Sequence, residues 1–578
     1  MTFEDIANHL EKIEKVDSRL AKTHHVRQLL AATSQDDLNI VLLFLQGRII
    51  PSFKPGELGL ASKSVAKAIA KATGYPEKEV ISQWKKQGDL GDVAALYADN
   101  KQQQTLFSDS YSLQDVYGTF TEIMEAEGKG SGQEKIDLLG KLITHSSGKE
   151  ARYIARLAIG NLRIGIGEGT LRDGIAWAFL DAAEPNYDEE TEAINPNRKA
   201  YERCVNAVQN VLDKTNDFVL AADTAKKGIK ALENTSFVYG RPAKVMLAQR
   251  AKTVEDIFST VGIPAAFEYK YDGMRMQIHI GEDIQVFTRR LEDVTTQFPE
   301  VKKYVESYIK NTGLTIIDCE AIAYDSKTEE YLPFQRISQR IKRKYDIEDI
   351  KEKIPVELKV FDILCHDGKD VTNLSYRNRR KILANIVTES PYELTKADQK
   401  ICNEKDEVLA FFEKARRKGN EGVMAKNLNS PYQPGNRVGH MLKYKATLDD
   451  LDLVIVKAEW GQGKRSGWLT SYTVACKDKD TYVTVGKVAT GLKEKPEEGF
   501  SFKEMTDLLE PHIEKVNGRE VHTTPNVVIS VRFEEIQKSP AYSSGYALRF
   551  PRFVALRPDR GPETISTLDE VKKAFEEQ

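Results

Sequence analysis

Near residue 237 the spacing of apolar residues changes, and that change rules out a fold built from one element type. Upstream, the first ~220 residues read as helical. In 201–212, Tyr201, Val205, Val208, Val211 and Leu212 fall at helical spacing beside Cys204, and Ile136, Leu139 and Ile143 form a similar stripe. Asn195-Pro196-Asn197 is a helix-start signal before the last long helix. Gly240-Arg241-Pro242 then breaks the chain. In FEYKYDGMRMQIHIGEDIQVFTRR, Met274, Met276, Ile278 and Ile280 alternate with Arg275, Gln277 and His279, which is strand periodicity, and Gly281-Glu282-Asp283 supplies a turn. Further strands are expected in LTIIDCEAIAYD, VELKVFDIL, GVMAK and HMLKYK, with helical stretches between them, so 240–447 reads as mixed α/β. From LDDLDLVIVKAEW onward come short strands, LVIVKAEW, SYTVACK, TYVTVGKV and NVVISVRFEEI, punctuated by Gly461, Gly463, Gly467 and Gly486. They predict a small all-β barrel, followed by a helix over TLDEVKKAFEEQ.

The chain has 578 residues. At roughly 150 residues per domain, that implies three or four units. No run of about 18 apolar residues occurs, so no membrane span is expected. The acidic start MTFEDIANHLEKIEKVDSRL has no basic-then-apolar leader. The expected location is the cytosol, or a nucleus if the cell has one. Cys204, Cys319, Cys365, Cys402 and Cys476 form no CxxC pair, which disfavours a zinc finger or a disulfide framework. The histidines form no HExxH. A net charge of -3 does not by itself suggest a polyanionic partner, so any such contact must rest on local basic patches.

The segment Glu268-Tyr269-Lys270-Tyr271-Asp272-Gly273-Met274-Arg275 carries the chemistry. Alone, a lysine before an Asp-Gly turn is an ordinary surface turn. Its weight comes from the ordered series of motifs downstream: Phe287-Thr288-Arg289-Arg290-Leu291-Glu292-Asp293-Val294-Thr295, then Asp318-Cys319-Glu320, Val360-Phe361-Asp362 and Glu421-Gly422-Val423-Met424-Ala425-Lys426. Leu442-Lys443-Tyr444-Lys445, Arg549-Phe550-Pro551-Arg552-Phe553 and Arg557-Pro558-Asp559-Arg560 complete the series. This ordered set resembles the covalent nucleotidyltransferases, and within them the ATP-dependent DNA ligases of the archaeal and eukaryotic replicative type.

The resemblance implies three domains: a helical DNA-binding domain over 1–225, an α/β adenylyltransferase domain over 226–447, and an OB-fold domain over 448–578. It implies that Lys270 attacks ATP and carries AMP. Glu268 would accept from the adenine amino group, Phe361 would stack on the ring, and Glu320 would contact ribose and help place a metal. Arg275 and Arg289 would bind the AMP phosphate or the nick 5′-phosphate, and Arg437 and Lys443 the nucleotide phosphates. Glu421 would bind Mg²⁺. A lysine titrates near ~10.4, so its neutral form needs help from cations or desolvation. Arg275, Lys443 and Lys445 are the expected neighbours. Taken singly, each residue has an ordinary reading too. Glu320 and Glu421 read as strand-edge carboxylates, Phe361 as core, and Lys443 with Lys445 as a solvated strand face. Arg560 stands where the family commonly has lysine, which weakens the transfer of a pyrophosphate role to it.

Several features bear on the substrate. Arg152-Tyr153-Ile154-Ala155-Arg156-Leu157 and Gly160-Asn161-Leu162-Arg163-Ile164-Gly165 resemble the helical DNA-binding part of replicative ligases, which capping enzymes lack. Glycines permit close backbone approach and arginines meet phosphates. The run Gly165, Gly167, Gly169 lacks a preceding strand and is not a dinucleotide loop. Arg336, Arg340, Lys342, Arg343, Lys344 and Arg416-Arg417-Lys418 are further candidate phosphate contacts, although charge runs are usually solvated faces. Nicked duplex DNA is the expected partner, read through its backbone and encircled by the three domains. Replication, repair and recombination are the implied settings. The missing four-cysteine zinc site favours ATP over NAD as donor. Gln103-Gln104-Thr105-Leu106-Phe107 resembles a sliding-clamp motif, with a loop tucked into the protein's own core as the alternative. A monomer is expected, with a hinge near Leu448-Asp449-Asp450. An RNA-directed nucleotidyltransferase and a silent DNA-binding scaffold are the competing readings.

Overall fold

A computed structural model describes residues 1–101, 111–183, 186–195, 197–310, 313–332, 334–341, 347–445 and 450–576. The segment Gln103–Phe107, the basic residues Lys342, Arg343 and Lys344, and Leu448-Asp449 lie outside the described residues. The chain forms two compact units, Met1–Tyr444 and Lys445–Gln578.

The described residues from Phe3 to Glu233 fold into α-helices around one core. Capping boxes at Thr2/Asp5, Ser112/Asp115 and Ser147/Glu150 satisfy the first backbone N–H groups of three of them. The long helix Arg198–Thr215 begins where the sequence signals it, with the Asn197 side chain accepting the Ala200 N–H. Its buried face holds Cys204, Val205, Val208, Val211 and Leu212. The Gly165–Gly167 stretch is coil leading into the helix Glu168–Phe179, with no strand ahead of it.

Residues beyond 240 build two sheets. One runs in the order Leu247–Arg250, Arg437–Lys445, Gly422–Asn427, Ala265–Lys270, Gln399–Cys402. The other runs Ile284–Thr288, Met274–Ile280, Thr315–Ala323, Val356–His366, Lys369–Asp370, with Leu394–Lys396 added parallel to Val356–His366. The expected hairpin is present, with Ile280 paired to Ile284 across the Gly281–Asp283 turn. Lys270 ends a strand of the first sheet and Met274 begins a strand of the second. The Tyr271-Asp272-Gly273 turn therefore carries the chain from one sheet to the other.

The second unit is β-rich. Antiparallel strands run in the order Thr481–Val488, Leu469–Asp478, Leu451–Trp460, Glu520–Thr523, Ile513–Asn517, and Val528–Arg532 joins Leu451–Trp460 to Arg552–Leu556. The expected C-terminal helix spans Leu568–Glu576.

Candidate active site

Strand pairing sets the position of the proposed nucleophile. Lys270 lies opposite Gly422 in the antiparallel pair of Ala265–Lys270 with Gly422–Asn427, and the Glu421 N–H donates to the Lys270 carbonyl at 3.0 Å. The Lys270 ammonium reaches Glu421 Oε1 at 2.7 Å, with the two side chains 20% and 18% exposed. Arg275, one of the cations expected beside Lys270, has partners of its own. Arg275 donates to Asp318 Oδ2 at 2.6 Å, to the Tyr432 hydroxyl at 3.0 Å and to the Met246 carbonyl at 3.1 Å. Lys445 pairs with Glu534 at 3.1 Å. The ion-pair partner of the Lys270 ammonium is thus the Glu421 carboxylate.

Gly273 explains why the turn needs glycine. A Cβ there would lie 2.5 Å from the Ala321 carbonyl oxygen and 2.9 Å from Glu320 Cγ. The missing side chain lets the turn press against the strand that carries Glu320, bringing the two sheets' functional residues together. Arg275 is in register with Glu320 on neighbouring strands. Burial, with the nearby Glu421 and Asp272 charges adding, pushes the Glu320 carboxyl up to about 7, while Lys270 and Arg275 oppose the rise. Asp272 also accepts the backbone N–H of Phe334 at 3.2 Å, which holds the start of the helix Phe334–Ile341.

Negative charge is therefore in excess around one lysine. That fits a hard divalent cation bound by one or two carboxylates together with substrate phosphates. Among the described residues no group of three side chains is placed to hold such an ion alone. Glu320 and Glu421 are the two carboxylates on either side of the sheet junction.

Two residues along the strand from Lys270, Glu268 is buried. Its Oε2 accepts from Lys426 at 2.6 Å, and its Oε1 accepts from the Tyr376 hydroxyl and from Gln399 Nε2 at 3.4 Å. Arg380 stands 3.6 Å away. Phe361 is only half-buried although its strand neighbours are buried, so it is not simply core. Arg275 and Lys426 lie 5.3 Å and 5.1 Å from its ring centroid. Arg437 is exposed and donates to the Ala248 carbonyl at 3.0 Å, and Lys443 is half-buried opposite Arg250 on the adjacent strand. Arg289 is exposed one residue beyond the Met276–Thr288 pair.

Four residues of this site carry no role in the sequence reading: Tyr376, Arg380, Gln399 and Lys426. Lys426 stands in the same six-residue motif as Glu421, which was a usable signal. Tyr376 and Arg380 belong to YRNRRKILANI, which has the composition of a solvated basic helix. Gln399 lies on a short edge strand with no pattern to mark it.

Other expectations need correction. Arg340 is not a phosphate contact. It is fully buried, donating to Glu300 at 2.5 and 2.9 Å and to the Gln297 and Ile354 carbonyls, over the Phe298 ring. Arg156 is also buried, held by Glu14, Asp89 and Asp92. A cation whose donors are spent inside the protein cannot neutralise DNA. Arg163 and Arg336 are exposed, although Arg163 pairs with Asp89 at 3.4 Å. In the second unit Arg557 and Arg560 share Asp452, at 2.6 and 3.2 Å.

Comparison with known proteins bears on the family. Three family models match: "DNA ligase N terminus" over residues 2–176, "ATP dependent DNA ligase domain" over 245–445 and "ATP dependent DNA ligase C terminal region" over 465–560. The DNA ligase of Nanoarchaeum equitans is 43% identical over 100% of this chain and 99% of its own length. That of Methanopyrus kandleri is 39% identical over the same shares. Among solved structures, Pmar-Lig_PreS3 matches with a TM-score of 0.55 at 16% identity, over 95% of this chain and 99% of its own, a likeness of fold.

Proposed function

Because this chain belongs to the ATP-dependent DNA ligase family, we propose that Lys270 is the nucleophile that carries AMP during the sealing of nicks in duplex DNA. The observation that carries this reading is the Lys270–Glu421 pair at the junction of two sheets, beside the raised carboxyl of Glu320.

The reaction is three successive displacements at phosphorus. The Lys270 amine, having lost a proton, attacks the α-phosphorus of ATP; an N–P bond forms and the P–O bond to pyrophosphate breaks. A 5′-phosphate oxygen at the nick then attacks the AMP phosphorus, breaking the N–P bond and returning the amine to Lys270. The 3′-hydroxyl attacks the 5′-phosphorus, loses its proton, forms the phosphodiester and expels AMP. Positioning and charge neutralisation dominate such steps.

Glu421 holds the Lys270 ammonium in place, and engaging the Glu421 charge elsewhere would release the lysine toward the α-phosphorus. Glu421 and Glu320 would hold Mg²⁺ together with nucleotide phosphates, and the ion would neutralise charge building on the phosphoryl oxygens. Glu268 and Phe361 would take the adenine, by hydrogen bonding and stacking. Arg275, Arg289, Arg437 and Lys443 would meet phosphates, Arg275 after exchanging part of its contact with Asp318. The same reading divides the chain at 225/226 and 447/448 and takes the last part as an OB-type barrel. A sliding-clamp contact through Gln103–Phe107, action as a monomer and a cytoplasmic setting rest on the sequence and the family resemblance alone.

The test is labelling with α-³²P-ATP and Mg²⁺, a denaturing gel, and a chase with nicked duplex, beside Lys270→Ala. A label lost in Lys270→Ala and discharged by the nick with strand joining is expected. A label made only with GTP, or one the nick does not discharge, would favour an RNA-directed enzyme.

A further inference from the structure

We infer that Tyr376 and Lys426 are positioning residues that fix the Glu268 carboxylate so that the site selects a nucleotide base bearing an amino group over one bearing a carbonyl. The inference rests on the base-binding reading of Glu268 given above.

Glu268 is only 2% exposed. A carboxylate taken from water must be paired and hydrogen-bonded. Lys426 supplies the charge at Oε2, 2.6 Å away, and the Tyr376 hydroxyl donates to Oε1. Gln399 Nε2 donates to the Tyr376 oxygen at 2.7 Å, so the tyrosine accepts from the amide and directs its single proton at Glu268. Burial and the Glu268 charge both raise the Tyr376 phenol, so it stays a donor at any working pH.

The clamp is anchored on both sides. Tyr376 opens the helix Tyr376–Ile386, which Ser375 caps and Arg379 ties to buried Asp362 by two hydrogen bonds of 2.7 and 3.1 Å. Lys426 sits on the strand Gly422–Asn427, which pairs residue by residue with the strand of Glu268 and Lys270. Its ammonium lies 4.7 Å from the Tyr376 ring centroid and 5.1 Å from that of Phe361. One cation thus holds the carboxylate and also lies against the ring proposed to stack on the base.

Selectivity follows from acceptor counting. A carboxylate oxygen has two lone-pair sites, and Lys426 uses one on Oε2. The remaining acceptor capacity suits an N–H donor on the base. A carbonyl in the same place would face negative charge, and the ammonium that could have served it is committed to Glu268.

The experiment uses the full chain and follows lysyl-nucleotide formation with ATP and with its 6-oxo analogue, inosine triphosphate. The wild type is expected to favour ATP by at least about tenfold, the worth of one hydrogen bond to a charged group. Tyr376→Phe should cut that preference by about threefold or more through KM, with the maximal rate on ATP changed less than about twofold. Lys426→Met should cut it further, and Lys426→Arg should restore part of it. If both variants keep the wild-type preference, or lose both nucleotides in parallel, the positioning role is overturned while the Glu268 reading stands. If the wild type does not distinguish the two nucleotides, the Glu268 reading falls and this inference with it. Tyr376→Phe removes a single oxygen atom, so it remains informative should Lys426→Met fail to fold.

Discussion

Two ion pairs in the central region have similar lengths and opposite characters. Arg340–Glu300 is 2.5 Å long and fully withdrawn, its side chains 0% and 4% exposed. Lys270–Glu421 is 2.7 Å long, with about a fifth of each side chain open. Arg340 also spends donors on two carbonyls and lies over Phe298. Arginine stays protonated and its planar fork suits a permanent buried bond. Lysine can lose its proton, and its partner Glu421 stands next to other carboxylates that compete for positive charge. The first pair holds the fold; the proposed reaction requires the second to break.

The comparison would break most visibly at Arg340. Arg340→Met leaves Glu300 charged and buried, at a cost of about 3–5 kcal/mol in denaturant unfolding, with the rate of lysyl-AMP formation per folded molecule unchanged. A cost below about 1 kcal/mol would class it with exposed pairs. Glu421→Gln should show the reverse pattern. Stability should change by less than about 1 kcal/mol, while lysyl-AMP formation slows about 100-fold, equivalent to ~2.7 kcal/mol of barrier. Equal losses in both measurements would erase the distinction.

A third test is the pH dependence from Glu320. Its carboxyl is raised from 4.5 to about 7, so the folded chain binds a proton that the unfolded chain has released across that window. Without divalent metal, stability should therefore fall as pH rises from about 4.5 to 7 and level off above. Thermal melts in chelator across this range should show the slope shrink in Glu320→Gln. An identical slope in the variant would mean that Glu320 does not feel its neighbours as described.

Much of this was legible in the sequence because it depends on local spacing. Alternation in 274–280 marks a strand wherever that strand packs, and Asn197 can cap the helix after it from its own side chain alone. Lys270, Glu320, Phe361 and Glu421 could be named because each lies in a short ordered motif. The helix Phe334–Ile341 shows where such reasoning stops. Arg336 and Arg340 look alike in a basic run and, four apart, share a helix face, yet one is exposed and the other buried, because one turn along the axis brings only Arg340 to Glu300. Charge composition does not reveal which turn of a helix meets a partner 40 residues away.

The sequence by itself determined the order of helical, mixed and β-rich regions, the glycine at 273, and the identity of the groups available for phosphoryl transfer. Those are consequences of periodicity and of side-chain chemistry, which act over a few residues. Only the tertiary structure decided that Lys270 meets Glu421, that Arg275 is held by Asp318 and Tyr432, and that Glu268 is clamped by Tyr376 and Lys426. These contacts join residues up to 158 positions apart. They exist because two sheets cross at a turn that only glycine fits, and burial at that crossing makes every charge find a specific partner.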